Sequence, residues 1–183
     1  MNKDQERSFI ARITCNGIIM SFAVDRASSL PGNMLTRFEA YDSLTQEMLP
    51  IHSKKAKHMV VHFQCYDDYY NLQILSETYY QKYISKDEES VLGAFPAAGG
   101  NTTSFNLLDN NHQIITLDDL NTAQATIHLK ARNAGIIKKT TWRDPASGTC
   151  FTDKSGDIAT FRLVILERHA VTPQRSTPYL VGT

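Results

Sequence analysis

Short runs in which apolar and polar residues alternate recur along the chain, and this pattern predicts β-strands. The runs are rich in β-branched and aromatic residues, which favour strands. They cover residues 9–13, 18–22, 59–63, 70–74, 114–117, 125–129 and 160–166. Clusters of Gly, Pro, Asn, Asp and Ser separate the runs and predict turns. Because no long segment has the 3.6-residue period of a helix, the pattern favours an all-β barrel or sandwich.

Three phenylalanines in similar surroundings, Phe38, Phe105 and Phe161, indicate an internal repeat. Nearly equal intervals separate Ile74 from Phe105 and Leu129 from Phe161. An alternating strand is thus followed, at a fixed distance, by a second strand built around Phe. Such a period is typical of repeat architectures, in which each unit buries its apolar face against its neighbours. We therefore expect the three phenylalanines to share one layer of the core.

A longer pattern surrounds two of these phenylalanines. It consists of an apolar strand, a turn, a Tyr-Leu or Tyr-Ile step, an acidic tip, a second hairpin strand and a closing aromatic. It occupies residues 71–87, 91–95 and 105–107, and what looks like a second copy occupies residues 127–137, 149–154 and 161–163. This pattern resembles the β-trefoil repeat of fascin-like proteins. The resemblance implies an all-β, β-trefoil-like barrel: a single domain over residues 1–183 with three pseudo-repeats, roughly 8–57, 58–120 and 121–183.

The resemblance also implies a class of partner. Fascin-like proteins suggest actin or another cytoskeletal protein, which would make this chain a cytoskeletal binding protein. Those bundling proteins use several trefoils in tandem, so a single domain would have to form a homo-oligomer to cross-link filaments. Plant-type protease inhibitors and secreted toxins share the architecture, and a fold alone does not fix a function.

Composition limits the classes of partner that we expect and indicates the compartment of the protein. Lys plus Arg number 19 and Asp plus Glu number 19, so no net field attracts nucleic acid or an anionic membrane. The polar N-terminus does not resemble a secretory signal, and no apolar stretch is long enough to span a membrane. We expect a soluble protein that is cytoplasmic, or exported without a cleavable signal peptide. The cysteines, Cys15, Cys65 and Cys150, are too few for a disulfide framework and are expected to be reduced and buried.

The only tryptophan of the sequence lies in a predicted turn and is the first candidate for ligand binding. Trp142 is followed by Arg143 and Asp144. An exposed aromatic ring can cover the C–H face of a sugar while neighbouring polar side chains bind its hydroxyl groups. The chain lacks the Gln-any-Trp signature that ricin-type lectins carry in each repeat, which argues against that kind of sugar site. The alternative is a Trp142 partly buried beneath a loop.

The second candidate is the run Tyr66, Asp67, Asp68 and Tyr69, part of the chain's main concentration of aromatic and acidic residues. Alternation buries some tyrosines of this region, and the others are expected to form a partner-binding surface, since Tyr is enriched at interfaces. Together the two candidates predict a non-enzymatic binding module that recognises a glycan or a protein surface through the loops of a barrel. No cofactor is expected.

Catalysis is the alternative function. Ser147, Gly148, Thr149 and Cys150 precede His169, and a cysteine needs a neighbouring imidazole to supply a thiolate. Bacterial-toxin glutamine deamidases place a Cys directly after a Ser-Gly pair, whereas Thr149 intervenes here. A Cys-His deamidase or another secreted toxin is thus the alternative to a core position for Cys150. The histidines show no metal-binding spacing and no glycine-rich phosphate loop is present, so neither a metal site nor a catalytic residue is predicted.

Overall fold

The computed structural model describes residues 3–16, 18–22, 38–41, 59–96, 103–141, 149–171 and 178. These residues form a short helix, α1 (Lys3–Glu6), a 3₁₀ turn (Leu117–Asp119) and fourteen β-strands. The strands are β1 Phe9–Cys15, β2 Ile18–Phe22, β3 Phe38–Tyr41, β4 Met59–Tyr66, β5 Tyr69–Ile74, β6 Tyr83–Lys86, β7 Leu92–Phe95, β8 Phe105–Leu108, β9 Ile114–Ile115, β10 Gln124–Ala131, β11 Lys138–Thr141, β12 Thr149–Thr152, β13 Asp157–Ile158 and β14 Phe161–Arg168. The predicted all-β class is confirmed.

Six strands close into a barrel. Going round it, the order is β1, β4, β5, β8, β10 and β14, and each strand runs antiparallel to both of its neighbours. The ring closes because β14 pairs with β1 from Phe9↔Arg168 to Cys15↔Phe161. A closed ring gives each of these strands a partner on both sides, so none of the six is an open sheet edge.

Most of the other strands form antiparallel pairs that follow one barrel strand and precede the next in sequence. These pairs are β2 with β3, β6 with β7, and β11 with β12. β12 also pairs with β3. The remaining short strands, β9 and β13, pair with β8 and β11. The predicted strand at 114–117 is shorter in the structure, because the chain enters the 3₁₀ turn after Thr116.

Aromatic side chains fill the inside of the barrel. The rings of Phe9 and Phe63 stack with centroids 4.5 Å apart, and Tyr70 meets Phe9 edge-on at 5.7 Å. Phe105 and Phe161 are also fully buried, so the predicted burial of these two residues is confirmed. They are the first residues of β8 and β14, two strands of the barrel.

Phe38 lies on a different kind of strand from the other two phenylalanines of the repeat pattern. It is the first residue of β3, whose partners are β2 and β12, so its backbone is outside the six-stranded ring. The barrel strand of this part of the chain is β4, which begins at the buried residue Met59. The sequence pattern therefore groups Phe38 with two residues of barrel strands, although Phe38 begins β3, which pairs with β2 outside the ring.

Ala170, which follows β14, packs on the outer wall of the barrel. Ile10, Val60, Leu75 and Ala170 form a small buried cluster there. The amide of Ala170 donates to the carbonyl of Ser8 at 2.8 Å, so the chain after β14 is hydrogen-bonded beside β1. Among the described residues, no helix is long and apolar enough to cross a membrane.

Candidate functional site

One half of the predicted binding site, Trp142, Arg143 and Asp144, lies outside the described residues. On either side of this segment, Thr141 of β11 and Thr149 of β12 are opposite each other in an antiparallel pair. The role of these three residues in binding stays a prediction.

The other half lies in the tight turn between β4 and β5. Tyr66 and Tyr69 are the last cross-strand pair of the hairpin, so Asp67 and Asp68 are its two turn residues. Asp67 has φ of 61°, a left-handed conformation that Asp tolerates better than most residues because its short side chain can hydrogen-bond locally. The acidic residues thus suit the backbone of this turn, and the turn brings the two tyrosines side by side.

Three side chains at this turn form what we call the tyrosine ladder: Tyr66, Tyr69 and Arg132. The rings of Tyr66 and Tyr69 stack with centroids 6.0 Å apart and an interplanar angle of 21°. The guanidinium carbon of Arg132 lies 3.6 Å from the centroid of the Tyr69 ring, in a cation–π contact. Tyr69 is half-buried, whereas Tyr66 is 42% exposed. The ladder therefore presents an aromatic ring to ligands.

Side-chain donors from distant parts of the chain hold the turn. Arg7 donates from Nη1 to the carbonyl of Asp67 at 3.3 Å and from Nε to the carboxylate of Asp118 at 2.7 Å. Asn106 donates from Nδ2 to the carbonyl of Asp68 at 2.9 Å. Both carbonyl groups of the turn are thus bonded to residues outside it. Because these donors fix the backbone, the tyrosine rings are preorganised and a ligand need not order them.

The position of Arg132 follows from the neighbouring barrel strands. Arg132 comes directly after β10, and its amide donates to the carbonyl of Ser104 at 2.8 Å. The Ser104 hydroxyl in turn donates to Oδ1 of Asn71 on β5 at 2.7 Å. These bonds connect the end of β10 to β5 through Ser104, the residue before β8, and place the Arg132 guanidinium over Tyr69. Arg7 and Arg132 were missed as site residues, because neither is near Tyr69 in sequence and only the barrel brings them there.

Tyr70 connects this surface to the core. Its ring is buried against Phe9, and its hydroxyl accepts a hydrogen bond from the amide of Leu117 at 3.0 Å. Burial raises the pKa of Tyr70 far above its ordinary value, so the hydroxyl stays neutral. The hydroxyl also donates to the carbonyl of Arg7. One buried side chain therefore joins the N-terminal segment, the 3₁₀ turn and β5 behind the tyrosine ladder.

Cys150 and His169, the pair on which the catalytic alternative depends, lie on and after different strands. Cys150 is buried on β12, opposite Thr140 of β11 and Glu39 of β3. His169 follows β14, is exposed, and shares a hydrogen bond of 2.6 Å between Nδ1 and the carbonyl of Glu6. The two residues are thus held by different parts of the sheet.

The other cysteines are buried as well, at the ends of barrel strands. Burial raises the pKa of the Cys15 thiol, and the nearby charge of Lys139 offsets only part of that rise. Cys65 is buried on β4. A buried thiol with a raised pKa is a poor nucleophile. The predicted buried positions of Cys15, Cys65 and Cys150 are confirmed.

Histidines form one unexpected contact. The rings of His112 and His128 meet edge-on with centroids 5.1 Å apart, and Nδ1 of His128 is bonded to the carbonyl of Ala159 at 3.0 Å. Within the described parts of the chain, no group of three or more His, Cys, Asp or Glu residues is arranged to hold a metal ion. Within those parts, His112 and His128 therefore have no third side chain with which to hold a metal ion.

In comparisons with known proteins, no family model, no curated protein and no solved structure matches the chain. No activity, partner or residue role is therefore carried over from a relative. What the chain binds has to be argued from its own residues. Among the candidate residues in the described part of the chain, those of the tyrosine ladder combine an exposed ring, charged neighbours and a fixed backbone.

Proposed function

We propose that this chain is a β-trefoil-like domain and that it acts as a non-enzymatic binding module, which recognises a glycan or a protein surface through the loops of its barrel. The order of strands along the chain supports the fold. In three successive groups, β1–β4, β5–β8 and β10–β14, a hairpin pair lies in sequence between two barrel strands that pair with each other. This is the order that three pseudo-repeats would give.

The strand pairing supports a different first boundary from the predicted one. The sequence pattern divided the chain near residue 57, which assigns β4 to the second repeat. However, β4 pairs with β1 from Phe9↔Phe63 to Ile13↔Met59, as the last strand of the same unit would. We therefore propose that the first pseudo-repeat ends at the turn between Tyr66 and Tyr69.

The observation that carries the binding proposal is the exposed, preorganised ring of Tyr66. An aromatic ring that stands on a fixed backbone offers a large contact area at a low cost in conformational entropy. Asp67 and Asp68 add hydrogen-bond acceptors in the same turn, and Arg132 adds donors beside Tyr69. Such a mixture of ring, acceptors and donors suits the hydroxyl and C–H groups of a glycan, or an amphipathic patch on a protein.

A shallow surface of this kind binds a single small group weakly. Useful affinity would come from several copies of the surface, either in an oligomer or on a multivalent ligand. The screening format should therefore display the protein multivalently, for example as a biotinylated chain on tetrameric streptavidin.

The test is a glycan array, run beside affinity capture from host lysate, with wild-type protein and two variants. Tyr66→Ala should abolish binding to whichever ligand the screens identify. Ile158→Ala is the matched control, because Ile158 has the same exposed fraction, 42%, but lies on β13. Circular dichroism should show both variants folded. Ligand binding that survives Tyr66→Ala unchanged would refute a site at this turn.

A further inference from the structure

We infer that the ligand group seated on Tyr66 is the guanidinium of an arginine, carried by a basic segment of a protein partner. This inference rests on the binding surface proposed above and names the chemistry that the surface selects. Two independent features of the described residues support it: the contact that the chain already makes at Tyr69, and the charge of the turn.

The first feature is the internal contact between Arg132 and Tyr69. A guanidinium at 3.6 Å from the ring centroid demonstrates that a tyrosine of this ladder accepts a stacked arginine. A cation is attracted to the negative face of an aromatic ring, and the planar, weakly hydrated guanidinium stacks there better than an ammonium group does. Tyr66 has the same ring chemistry as Tyr69 and is more exposed. A second guanidinium, from a partner, would make the same contact with the exposed ring of Tyr66.

The second feature is the charge beside Tyr66. Arg7 binds the turn through a backbone carbonyl, while its Nε is paired with the carboxylate of Asp118. In the part of the chain that the structure describes, the carboxylates of Asp67 and Asp68 form no ion pair. Next to the exposed ring there are thus two negative charges, against one positive charge, that of Arg132 on the neighbouring ring.

Charge and ring together favour arginine over other ligand groups. A guanidinium can stack on a ring and donate two parallel hydrogen bonds to a carboxylate, whereas a lysine ammonium acts as a point charge. A neutral sugar would use the ring and the acceptors but would gain little from two negative charges. An acidic or phosphorylated ligand would be repelled by them. The surface therefore discriminates in the order arginine, lysine, neutral sugar, anion.

The experiment is isothermal titration calorimetry of the whole chain with a twelve-residue peptide of alternating Arg and Gly. Matched peptides contain Lys or Glu in place of Arg, and a chitin hexasaccharide is the neutral sugar. We expect the arginine peptide to bind tighter than the lysine peptide by about 3-fold or more, and the glutamate peptide not to bind. Raising NaCl from 20 to 200 mM should weaken the binding several-fold, since exposed charges are screened.

Variants assign the binding to the proposed groups. Tyr66→Ala, and separately Asp67→Asn combined with Asp68→Asn, should each weaken binding of the arginine peptide by about 10-fold. Asn tolerates the left-handed conformation at position 67, so the turn is preserved. Tyr66→Phe should bind like the wild type, because it keeps the ring. Asp157→Asn, an exposed carboxylate on β13, is the control and should change nothing.

The outcomes separate this inference from the proposed function. Absence of binding by the arginine peptide at millimolar concentration, equal binding by the glutamate peptide, or binding unaffected by Tyr66→Ala would each overturn the inference. Salt-independent binding of the hexasaccharide that is lost in Tyr66→Ala would also overturn it, but would leave the binding surface in place. Both the inference and the proposed binding surface would be refuted only if no substitution at the turn changed the binding of the ligand.

Discussion

The guanidinium of Arg132 lies 3.6 Å from the centre of the Tyr69 ring, although Arg132 follows β10 and Tyr69 begins β5. β8 lies between them and pairs with both β10 and β5. The contact therefore depends on the packing of three neighbouring strands. It also supports the ring of Tyr69, against which the exposed ring of Tyr66 stacks.

Loss of this contact should have a small effect on stability. Replacing Arg132 with Leu should lower the free energy of unfolding by about 0.5–1 kcal/mol, the usual contribution of an exposed cation–π pair. Urea denaturation measures it. Arg132→Lys should lose less, because it keeps a cation near the ring. A loss in Arg132→Leu that disappears in a Tyr69→Leu background would attribute the energy to this pair. Equal losses in both backgrounds would contradict the assignment.

Substitutions in the core should lower the free energy of unfolding far more. Truncating Phe105 or Phe161 to Ala should each cost about 3–5 kcal/mol, because both are fully buried and the surrounding barrel cannot collapse into the cavity. Ile158→Ala, at an exposed position on β13, should stay within about 0.5 kcal/mol. From the sequence we expect Trp142→Ala to cost less than about 1.5 kcal/mol. A loss at Trp142 as large as that at Phe105 would show that Trp142 is a core residue.

A buried ion pair is expected to be sensitive to removal of one partner. Nζ of Lys86 and Oδ2 of Asp153 are 2.7 Å apart, and the Asp153 side chain is only 2% exposed. Its other oxygen, Oδ1, has no hydrogen-bond partner in the described residues. Lys86→Met should therefore cost about 3–5 kcal/mol, because it leaves a buried carboxylate without its ion-pair partner.

The control for this pair is the double variant Lys86→Met with Asp153→Asn, which removes both charges. It should be more stable than Lys86→Met alone in urea denaturation. Burial by itself would raise the pKa of Asp153, but the hydrogen bond and charge of Lys86, with Lys154, hold it below its ordinary 3.8. The stabilisation is thus complete above about pH 3.8 and is lost as the pH falls further. A single variant no less stable than the double would contradict this account.

His62 should make the protein less stable in mild acid. It is fully buried, its Nε2 donates to the carbonyl of Ala170, and Gln64 approaches Nδ1 at 3.4 Å. Burial lowers the pKa of His62 below 6.5, although the bonds to Ala170 and Gln73 and the charge of Glu167 oppose this. The unfolded chain therefore binds a proton more readily than the folded one. Stability is complete above about pH 6.5 and falls as the pH drops below it.

Urea denaturation of wild type and His62→Gln at pH 7.5 and 5.5 measures this effect. The loss of stability between the two pH values should be smaller in His62→Gln, because the variant has no imidazole to protonate at this position. An identical pH dependence in His62→Gln and wild type would exclude His62 as the source.

Much of the fold could be predicted from the sequence because burial alternates along the strands. In β5, for example, Tyr70, Leu72 and Ile74 are buried while their neighbours are half-exposed. The role of Phe38 could not be predicted in this way, because local alternation does not distinguish a barrel strand from a hairpin strand. That distinction depends on which distant strand pairs with it.

The candidate site could likewise be predicted from the sequence only in part. The concentration of Tyr and Asp at 66–69 was visible in the sequence, since two turn residues between two aromatics are a local signal. Arg7 and Arg132 were not, because their contacts depend on strands that are adjacent only in the closed barrel. The ion pair of Lys86 with Asp153 likewise joins two distant segments.

The most direct test of the binding surface is a nuclear magnetic resonance titration of ¹⁵N-labelled protein with the tightest ligand found among the array glycans and the peptides. The largest shift changes should fall on the backbone amides of residues 66–69 and of Arg132. They should be absent when the same ligand is added to Tyr66→Ala. Changes confined to other surfaces, such as β13 or the amides near His169, with the amides of 66–69 unmoved, would contradict the account.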